Sequence, residues 1–417
     1  MRIGVDLRAM QVGHQLRGIG EVLRQACVQL DRRLPATDAF VGFHDPPGPP
    51  VGPVLQRVLP SGRPATTVDM PPAAGRLGRV RDNLSPEQVA TMGEACDVLL
   101  QFDFQLGVPS SVPTVLVVHD QIPLVLGDRY PATYWPHYGA ARRAGLGHRV
   151  AAERALRRKV YERNLANGLR RAAHVVANSA HTARTTLDFA HEHGVSDLDD
   201  RLQVALLGHE PPSEVAPLNV MERDRVEALG LDRTPYLLYV GGVDDRRRVD
   251  LLVAAFNELR ARGRELGLVL AGDSFATVSG IGVERTRQAV ATSSYRHDIH
   301  LLGFVSEAER AWLYGRAAAV AFPSEHEGFG LPVIEALAVG APVVAFEGTA
   351  VDEVCGPNGE LVAPGWRPLA DGLDRVLARP SDERERLAAA GRAWAAGFTW
   401  DALGAALAGH VEAHRPT

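Results

Sequence analysis

What most limits the fold of this chain is a rhythm that runs through it twice. Short runs of Val, Ile and Leu alternate with stretches whose apolar residues recur at helical spacing. In the first half the runs are RIGVDL, AFVGFH, DVLLQF, TVLVVHD, HVVANS and QVALLG; in the second they are YLLYVGG, GLVLAGD, IHLLGF, AAVAFPS and PVVAFEG. A strand that is apolar along its whole length needs cover on both faces, and the helices between the runs supply it. Alternation of this kind builds parallel, doubly wound sheets. At 417 residues the chain exceeds what one core holds, so two such domains are expected. The rhythm breaks at a polar, Pro-bearing passage from Leu207 to Thr234. The expectation is an α/β protein of two Rossmann-like domains facing a central cleft. Residues 1–215 and 216–398 form the two domains, and a last helix at 399–417 completes the first. Open α/β sheets bind ligands beyond the C-terminal ends of their strands, so the chemistry should lie just after strands.

Composition narrows the partners. The net charge is −5, which argues against nucleic acid. One stretch runs the other way: Pro136 to Ala172 holds nine Arg and Lys159 against Glu153 and Glu162, a local charge of +8. Its scattered Ala and Leu suit a surface helix; an anionic membrane surface or an anionic acceptor is the other reading. Lys159 is the sole lysine, so Arg fills 44 of the 45 basic positions. Cys27, Cys96 and Cys355 are far apart and form no C-x-x-C, which supports neither a disulfide framework nor a zinc site. No apolar run approaches the ~20 residues of a membrane span. The start, MRIGVDLRAM, reads as a buried strand and lacks the features of a secretory leader. The expected location is the cytoplasm, peripheral at the inner membrane face if residues 136–172 meet lipid. The Pro/Gly-rich DPPGPPVGP, from Asp45 to Pro53, reads as a surface loop.

The densest signal is PSEHEGFGLPVIEALAVGAPVVAF, from Pro323 to Phe346. It begins at the end of one strand and finishes in the next. Between them PVIEALAVG reads as a helix that starts at Pro332 and stops at Gly340. Gly328, Phe329, Gly330 and Leu331 then lie at a helix N-terminus. Backbone N–H groups there lack helical partners, and the dipole adds partial positive charge. Such a place suits phosphate oxygens or sugar hydroxyls. Glu327 precedes the loop and Glu335 sits in the first turn of the helix. Singly, each has a plain reading, as a solvated loop residue or a partner for the helix dipole. Together with the glycine loop they form a site for vicinal hydroxyls.

The sequence E-G-F-G-L-P-V-I-E resembles the E-x7-E signature of retaining glycosyltransferases, above all glycosyltransferase family 4. LLGFVSEAERAWLYGRAAAVAFPS resembles the stretch that precedes that motif in the family. The resemblance implies the GT-B fold and a nucleotide-diphosphate sugar as donor. It implies that Glu335 holds the ribose hydroxyls. Glu327, with the amides of Phe329, Gly330 and Leu331, would contact the donor sugar. The backbone from Gly303 to Val305 would lie against the base.

YLLYVGGVDDRRRVDLLVAAF, from Tyr236 to Phe256, ends a strand at Gly241-Gly242 and enters a helix through Arg246, Arg247 and Arg248. Three cations at a helix start oppose the dipole, so the placement is costly unless an anion is bound. A diphosphate would supply one, and the planar guanidinium suits it. The stretch resembles the family's first C-domain turn, which carries an Arg after the strand and a Lys five residues on. Here Gly242 holds the first position and Arg247 the second; Arg246 is the candidate to replace the missing cation.

PTVLVVHDQIPL sets His119 and Asp120 at a strand end and looks like the family's V-x-V-H-D-x-x-P-L. The resemblance implies that His119 contacts the donor sugar, with Asp120 orienting it or meeting the acceptor. RGIGEVL, from Arg17 to Leu23, resembles the family's N-terminal glycine loop, in which Gly18 and Gly20 let the backbone approach a phosphate. The usual aromatic after that loop is absent; Glu21 and Val22 stand there. HVVANSAHTARTTL resembles the family's last N-domain strand and helix, and Ala36 to Thr91 matches poorly.

The resemblance thus implies a retaining hexosyltransferase that moves sugar from a UDP- or GDP-linked donor to a hydroxyl acceptor. That acceptor would be a sugar, a lipid-linked sugar or a small molecule. Arg246, Arg247 and loop amides would stabilise the leaving diphosphate, so neither metal nor cofactor is expected. A metal-dependent class needs D-x-D after a strand. The one candidate, Asp197-Leu198-Asp199, lies in the polar run DLDDRL. Two other functions stay open: a hydrolase or epimerase of nucleotide sugars, and a sugar-nucleotide-binding subunit without catalysis.

Overall fold

The computed structural model describes residues 1–11, 18–46, 55, 59, 61–71, 84–127, 147–210, 217–272 and 281–416; at 147–154, 157 and 281 only the backbone is described. The described residues fall into two compact units. The first holds Met1–Leu124, Ala155–Gly208 and Thr399–Thr417; the second holds Val125–Arg154 and His209–Phe398. The chain therefore passes between them at Gly208/His209, earlier than the expected 215/216. His209 is already tied into the second unit by its Nε2, 3.0 Å from the carbonyl of Ala395. The expected loop from Asp45 lies, over 47–53, outside the described residues, as do 136–146 and 211–216.

The first unit is a parallel sheet of seven strands: β1 Arg2–Asp6, β2 Ala39–His44, β3 Ala65–Asp69, β4 Val98–Gln101, β5 Thr114–Val118, β6 His174–Ala177 and β7 Leu202–Val204. Their order is β3-β2-β1-β4-β5-β6-β7. The second unit is a parallel sheet of six strands: β8 Tyr236–Val240, β9 Gly267–Ala271, β10 Ile299–Gly303, β11 Ala319–Phe322, β12 Val343–Phe346 and β13 Glu360–Val362, in the order β10-β9-β8-β11-β12-β13. Each is the Rossmann-like, doubly wound type.

The central strands β4, β5, β9, β11 and β12 are buried along their whole length, as their unbroken apolar runs require. Two strands absent from the sequence reading, β3 and β13, sit at sheet edges. β3 reads ATTVD and is half exposed, and β13 is three residues long, so neither carries an apolar run. In the second unit Leu252, Val253 and Phe256 of the helix Val249–Ala261 pack with Leu268 and Leu270 of β9 and with Leu369 and Leu373 of the helix Trp366–Ala378. Each such side chain contributes roughly 1.5–3 kcal/mol on burial.

The basic segment forms, in its described part, the helix Gly147–Arg171. Tyr161, Leu165, Ala166 and Leu169 bury one face in the core of the first unit, and the Arg158–Glu162 pair lies on its exposed side. Among the described residues no helix is long and apolar enough to cross a membrane.

The strand orders position the chemistry. In each sheet the order reverses once, between β1 and β4 and between β8 and β11. Chains leaving the two strands at a reversal depart to opposite faces and leave a crevice at the C-terminal edge.

Candidate functional site

At the reversal in the second unit, Gly241–Arg248 leaves β8 and Pro323–Gly330 leaves β11. The two loops are joined by a bond from the Glu325 amide to the Arg246 carbonyl, 2.8 Å. Residues far apart in the chain thereby meet. Arg246 is 7% exposed, and its Nη1 donates to the His326 carbonyl at 2.8 Å and to Ser324 Oγ at 3.2 Å. The same nitrogen is ion-paired with Glu327 Oε1, which also accepts from Ser324 Oγ at 3.0 Å. Arg247 Nε stands 3.6 Å from that Glu327 oxygen and 3.8 Å from Asp244 Oδ2. Asp244 Oδ2 lies 3.4 Å from Arg246 Nε. Burial opposes the charge on Arg247, but Tyr239, Glu327 and Asp244 outweigh it and hold its pKa above the usual arginine value.

This arrangement corrects one expectation. Arg246 and Arg247 do not open the long helix; they lie in the 3-10 turn Asp245–Arg247 that precedes it. Arg248 is the N-cap of the helix Val249–Ala261, at φ 40, the one positive-φ residue other than glycine among those described. Asp250 holds it at 3.2 Å, with Glu325 on its Nη1. Asp245 pairs instead with Arg285, at 3.0 Å. The cations therefore do not stand bare against the dipole: carboxylates of the same turn and of the facing loop neutralise them. Backbone held in a sparsely populated region clusters at functional sites.

Gly330 caps the helix Leu331–Val339 in the left-handed region, φ 105, with no side-chain cap. A Cβ there would be strained and would press on Val351 at 3.2 Å. Pro332 stands in the first turn and Gly340 ends the helix at φ 83. Phe329 turns its ring into the core, edge-on to Phe398 at 6.1 Å, so its amide is what it offers a ligand. Glu335 is half-buried. Its Oε2 accepts from Tyr314 Oη at 3.1 Å and is 3.5 Å from Arg310 Nε. Burial pushes the Tyr314 hydroxyl well above its usual range, Glu335 adding to it, so it remains a donor. Tyr314 and Arg310 belong to the helix Glu307–Arg316, which Val305 and its cap Ser306 introduce after β10. Gly242 offers its carbonyl to Tyr239 Oη at 2.5 Å.

The candidate residues of the first unit take separate places. His119, half-buried, follows β5, and its carbonyl accepts from Thr182 Oγ1 at 3.4 Å. Asp120 caps the short helix Ile122–Leu126 through the Ile122 amide, 3.1 Å. Gly18 and Gly20 are not in a loop, contrary to expectation; they belong to the first turn of the helix Gly18–Arg33.

At the reversal in this unit stands a group that sequence reasoning missed: Asp6, ending β1, holds Arg8 through Nε at 2.9 Å and Nη2 at 2.5 Å, while Asp103 follows β4. Burial raises the Asp103 pKa to about 6. Its signal was D-L-R immediately after the first strand. Asp197 is taken up by Arg201 at 2.8 Å and Asp199 by His191 at 2.8 Å. Among the described residues no group of three or more His, Cys, Asp or Glu is arranged to hold a metal ion.

Most of the second unit has recognisable relatives. Residues 221–394 match the family model "Glycosyl transferases group 1", so the chain carries a domain of that family. The alpha-D-kanosaminyltransferase of Streptomyces kanamyceticus is 30% identical over 187 residues, which cover 44% of this chain and 47% of that protein. A D-inositol 3-phosphate glycosyltransferase of Frankia alni is 39% identical over 182 residues, covering 42% and 44%. The chain thus spans less than half the length of these curated relatives. Among solved structures, Anabaena HepE in complex with UDP and glucose superposes with a TM-score of 0.67, at 17% identity, over 99% of this chain and 100% of that one. That likeness is one of fold, the GT-B class.

Proposed function

We propose that this protein is a retaining hexosyltransferase that moves sugar from a nucleotide-diphosphate sugar to a hydroxyl acceptor without a metal ion. The observation that carries the reading is the meeting of Arg246, Arg247 and Glu327 beside a glycine-capped helix start, with Glu335 in that helix's first turn. Two guanidinium groups and a helix N-terminus form a seat for a diphosphate. Preset cations stabilise the charge that develops on the departing phosphate, which is the work a divalent ion does in other enzymes. Glu335 takes the ribose hydroxyls, Glu327 and the amides of Phe329, Gly330 and Leu331 the sugar, and the backbone at Val305 the base. UDP-glucose is the first donor to try, because UDP and glucose occur in the Anabaena neighbour. GDP-sugars follow. The acceptor is a sugar, a lipid-linked sugar or a small hydroxyl compound. The basic helix offers a route to peripheral membrane contact on the cytoplasmic side. His119 is the residue of the first unit to test, with lost turnover and retained nucleotide binding expected of His119→Ala.

The test is a thermal-shift panel of UDP- and GDP-sugars with and without EDTA. A bound donor at about 100 times its dissociation constant adds about 2.7 kcal/mol, a shift of several degrees. The shift should survive EDTA and vanish in Glu335→Ala. Glu327→Ala should keep the shift and lose turnover. A midpoint that moves only with added manganese would sink the metal-free reading; an unchanged shift in Glu335→Ala would remove the ribose assignment.

A further inference from the structure

The helix Glu307–Arg316 is fixed at both ends. Its start is a capping box: the Glu309 amide donates to Ser306 Oγ at 3.1 Å, and Glu309 Oε2 accepts from the Ser306 amide at 3.0 Å. Arg225 adds a bond from Nη1 to Glu309 Oε1 at 3.2 Å and another from Nη2 to the Leu302 carbonyl of β10. Near the other end the Leu313 carbonyl accepts from Tyr236 Oη of β8 at 2.8 Å. The next residue is Tyr314, whose side chain is buried, with 2% of the residue exposed. A phenol turns about two bonds only, and close packing around it locks both.

What this phenol meets is the acid of the next helix. Tyr314 Oη donates to Glu335 Oε2 at 3.1 Å, a bond between Glu307–Arg316 and Leu331–Val339. Arg310, one turn before Tyr314, brings its Nε to 3.5 Å from the same oxygen, on a side chain that is 35% exposed. A long ion pair open to solvent is screened and does not set the plane of a carboxylate, whereas a buried hydrogen bond of ordinary length does. A glutamate side chain loses rotamer freedom when it grips a ligand, so a carboxylate already held by a neighbour binds at lower cost. A carboxylate offers about four lone-pair sites, so the Tyr314 bond leaves capacity for a pair of vicinal hydroxyls.

We propose that Tyr314 is a positioning residue that makes this site select ribonucleotides over 2′-deoxyribonucleotides: by holding one carboxylate oxygen it presents Glu335 to both hydroxyls of the ribose. The proposal rests on the assignment of Glu335 to the ribose made above. A site built to bond a hydroxyl rejects the analogue that lacks it. The probes are UDP and 2′-deoxy-UDP, or the guanine pair if that is the base the wild-type protein binds, and binding is measured by calorimetry. The wild-type protein should prefer the ribo form by about tenfold or more. Tyr314→Phe keeps the ring and the net charge and removes the oxygen. It should weaken the ribo form about tenfold and leave the deoxy form within about twofold, so that the preference nearly vanishes. A merely structural role would weaken both forms alike. Glu335→Asp breaks the same bond from the other side, drawing the carboxylate back by one methylene with the phenol in place. It should lose the preference too, and it serves if Tyr314→Phe fails to fold. Arg310→Ala, which keeps the phenol, should retain the preference. A preference unchanged in Tyr314→Phe or Glu335→Asp, equal losses for the two nucleotides, or an equal loss of preference in Arg310→Ala would each overturn the proposal. Glu335→Ala separates the two levels. If it removes the preference while Tyr314→Phe keeps it, only Tyr314 is wrongly assigned. If the preference survives Glu335→Ala, the ribose assignment fails and the proposal with it.

Discussion

The two sheets reverse their strand order in the same way, yet the charges at the two reversals end in different states. In the first unit Asp6 and Arg8 are 0% and 4% exposed, and the guanidinium is spent: two bonds to Asp6 and one to the Leu106 carbonyl at 3.2 Å. In the second unit Arg246 and Arg247 share one oxygen of Glu327, and Arg247 Nε has no hydrogen-bond partner. A saturated buried pair is structure. An arginine with an unmet nitrogen, next to a helix start without a side-chain cap, is where the proposed diphosphate would sit. Topology made both crevices; hydrogen-bond arithmetic separates the sealed one from the one proposed to bind.

The largest effect that would break this comparison comes from deleting each arginine. Arg8→Ala and Arg246→Ala both leave a buried carboxylate without its partner, at a cost of about 3–5 kcal/mol in urea unfolding. Arg246→Ala should also lose the midpoint shift given by a nucleotide sugar, while Arg8→Ala should keep it. If Arg8→Ala removes the shift as well, the first reversal is part of the binding machinery and the contrast is void.

A second, smaller effect is a titration within the sealed reversal. Burial lifts Asp103 to about 6, from an ordinary 3.8, with Asp6 adding to the lift. The folded chain then holds that proton more tightly than the unfolded chain, so stability falls as pH rises from about 4 through 6. Asp103→Asn should be more stable than the parent at pH 8, on the order of 1–3 kcal/mol, and close to it at pH 4. Parallel melting curves across that range would show no burial effect.

The smallest effect has the opposite sign. His410 stacks on His174 at 4.2 Å; burial lowers its pKa to about 4, and the neighbouring imidazoles of His174 and His414 help. Its stabilising contribution is complete above about pH 6.5 and is lost as pH falls towards 4. His410→Phe should flatten the acid side of the melting profile by a degree or two while leaving pH 8 unchanged. An identical acid slope in the variant would place the titration elsewhere.

Much of this was legible beforehand. The unbroken runs TVLVV, GLVLA and VVAF could only be covered parallel strands, and they are. The spacing from Glu327 to Glu335, with Gly330 and Pro332 between, dictated a glycine-capped helix start, because that backbone geometry is a local matter. The edge strands β3 and β13 were not legible, since an edge needs little apolar surface and leaves a weak pattern. The place of Gly18 and Gly20 was misjudged: they stand inside the first turn of a helix, and a glycine pair by itself does not distinguish a loop from a helix start.

The chain by itself thus determined which segments are the covered strands, where the helix after Gly330 starts, and which acids and arginines are candidates, all consequences of period and near-neighbour chemistry. Tertiary structure decided who neutralises whom. Glu327 and Arg246 are 81 residues apart and meet because β8 and β11 are neighbours at a reversal of strand order. Local pattern carries no information about which strands become neighbours, and charge compensation depends on distance in space.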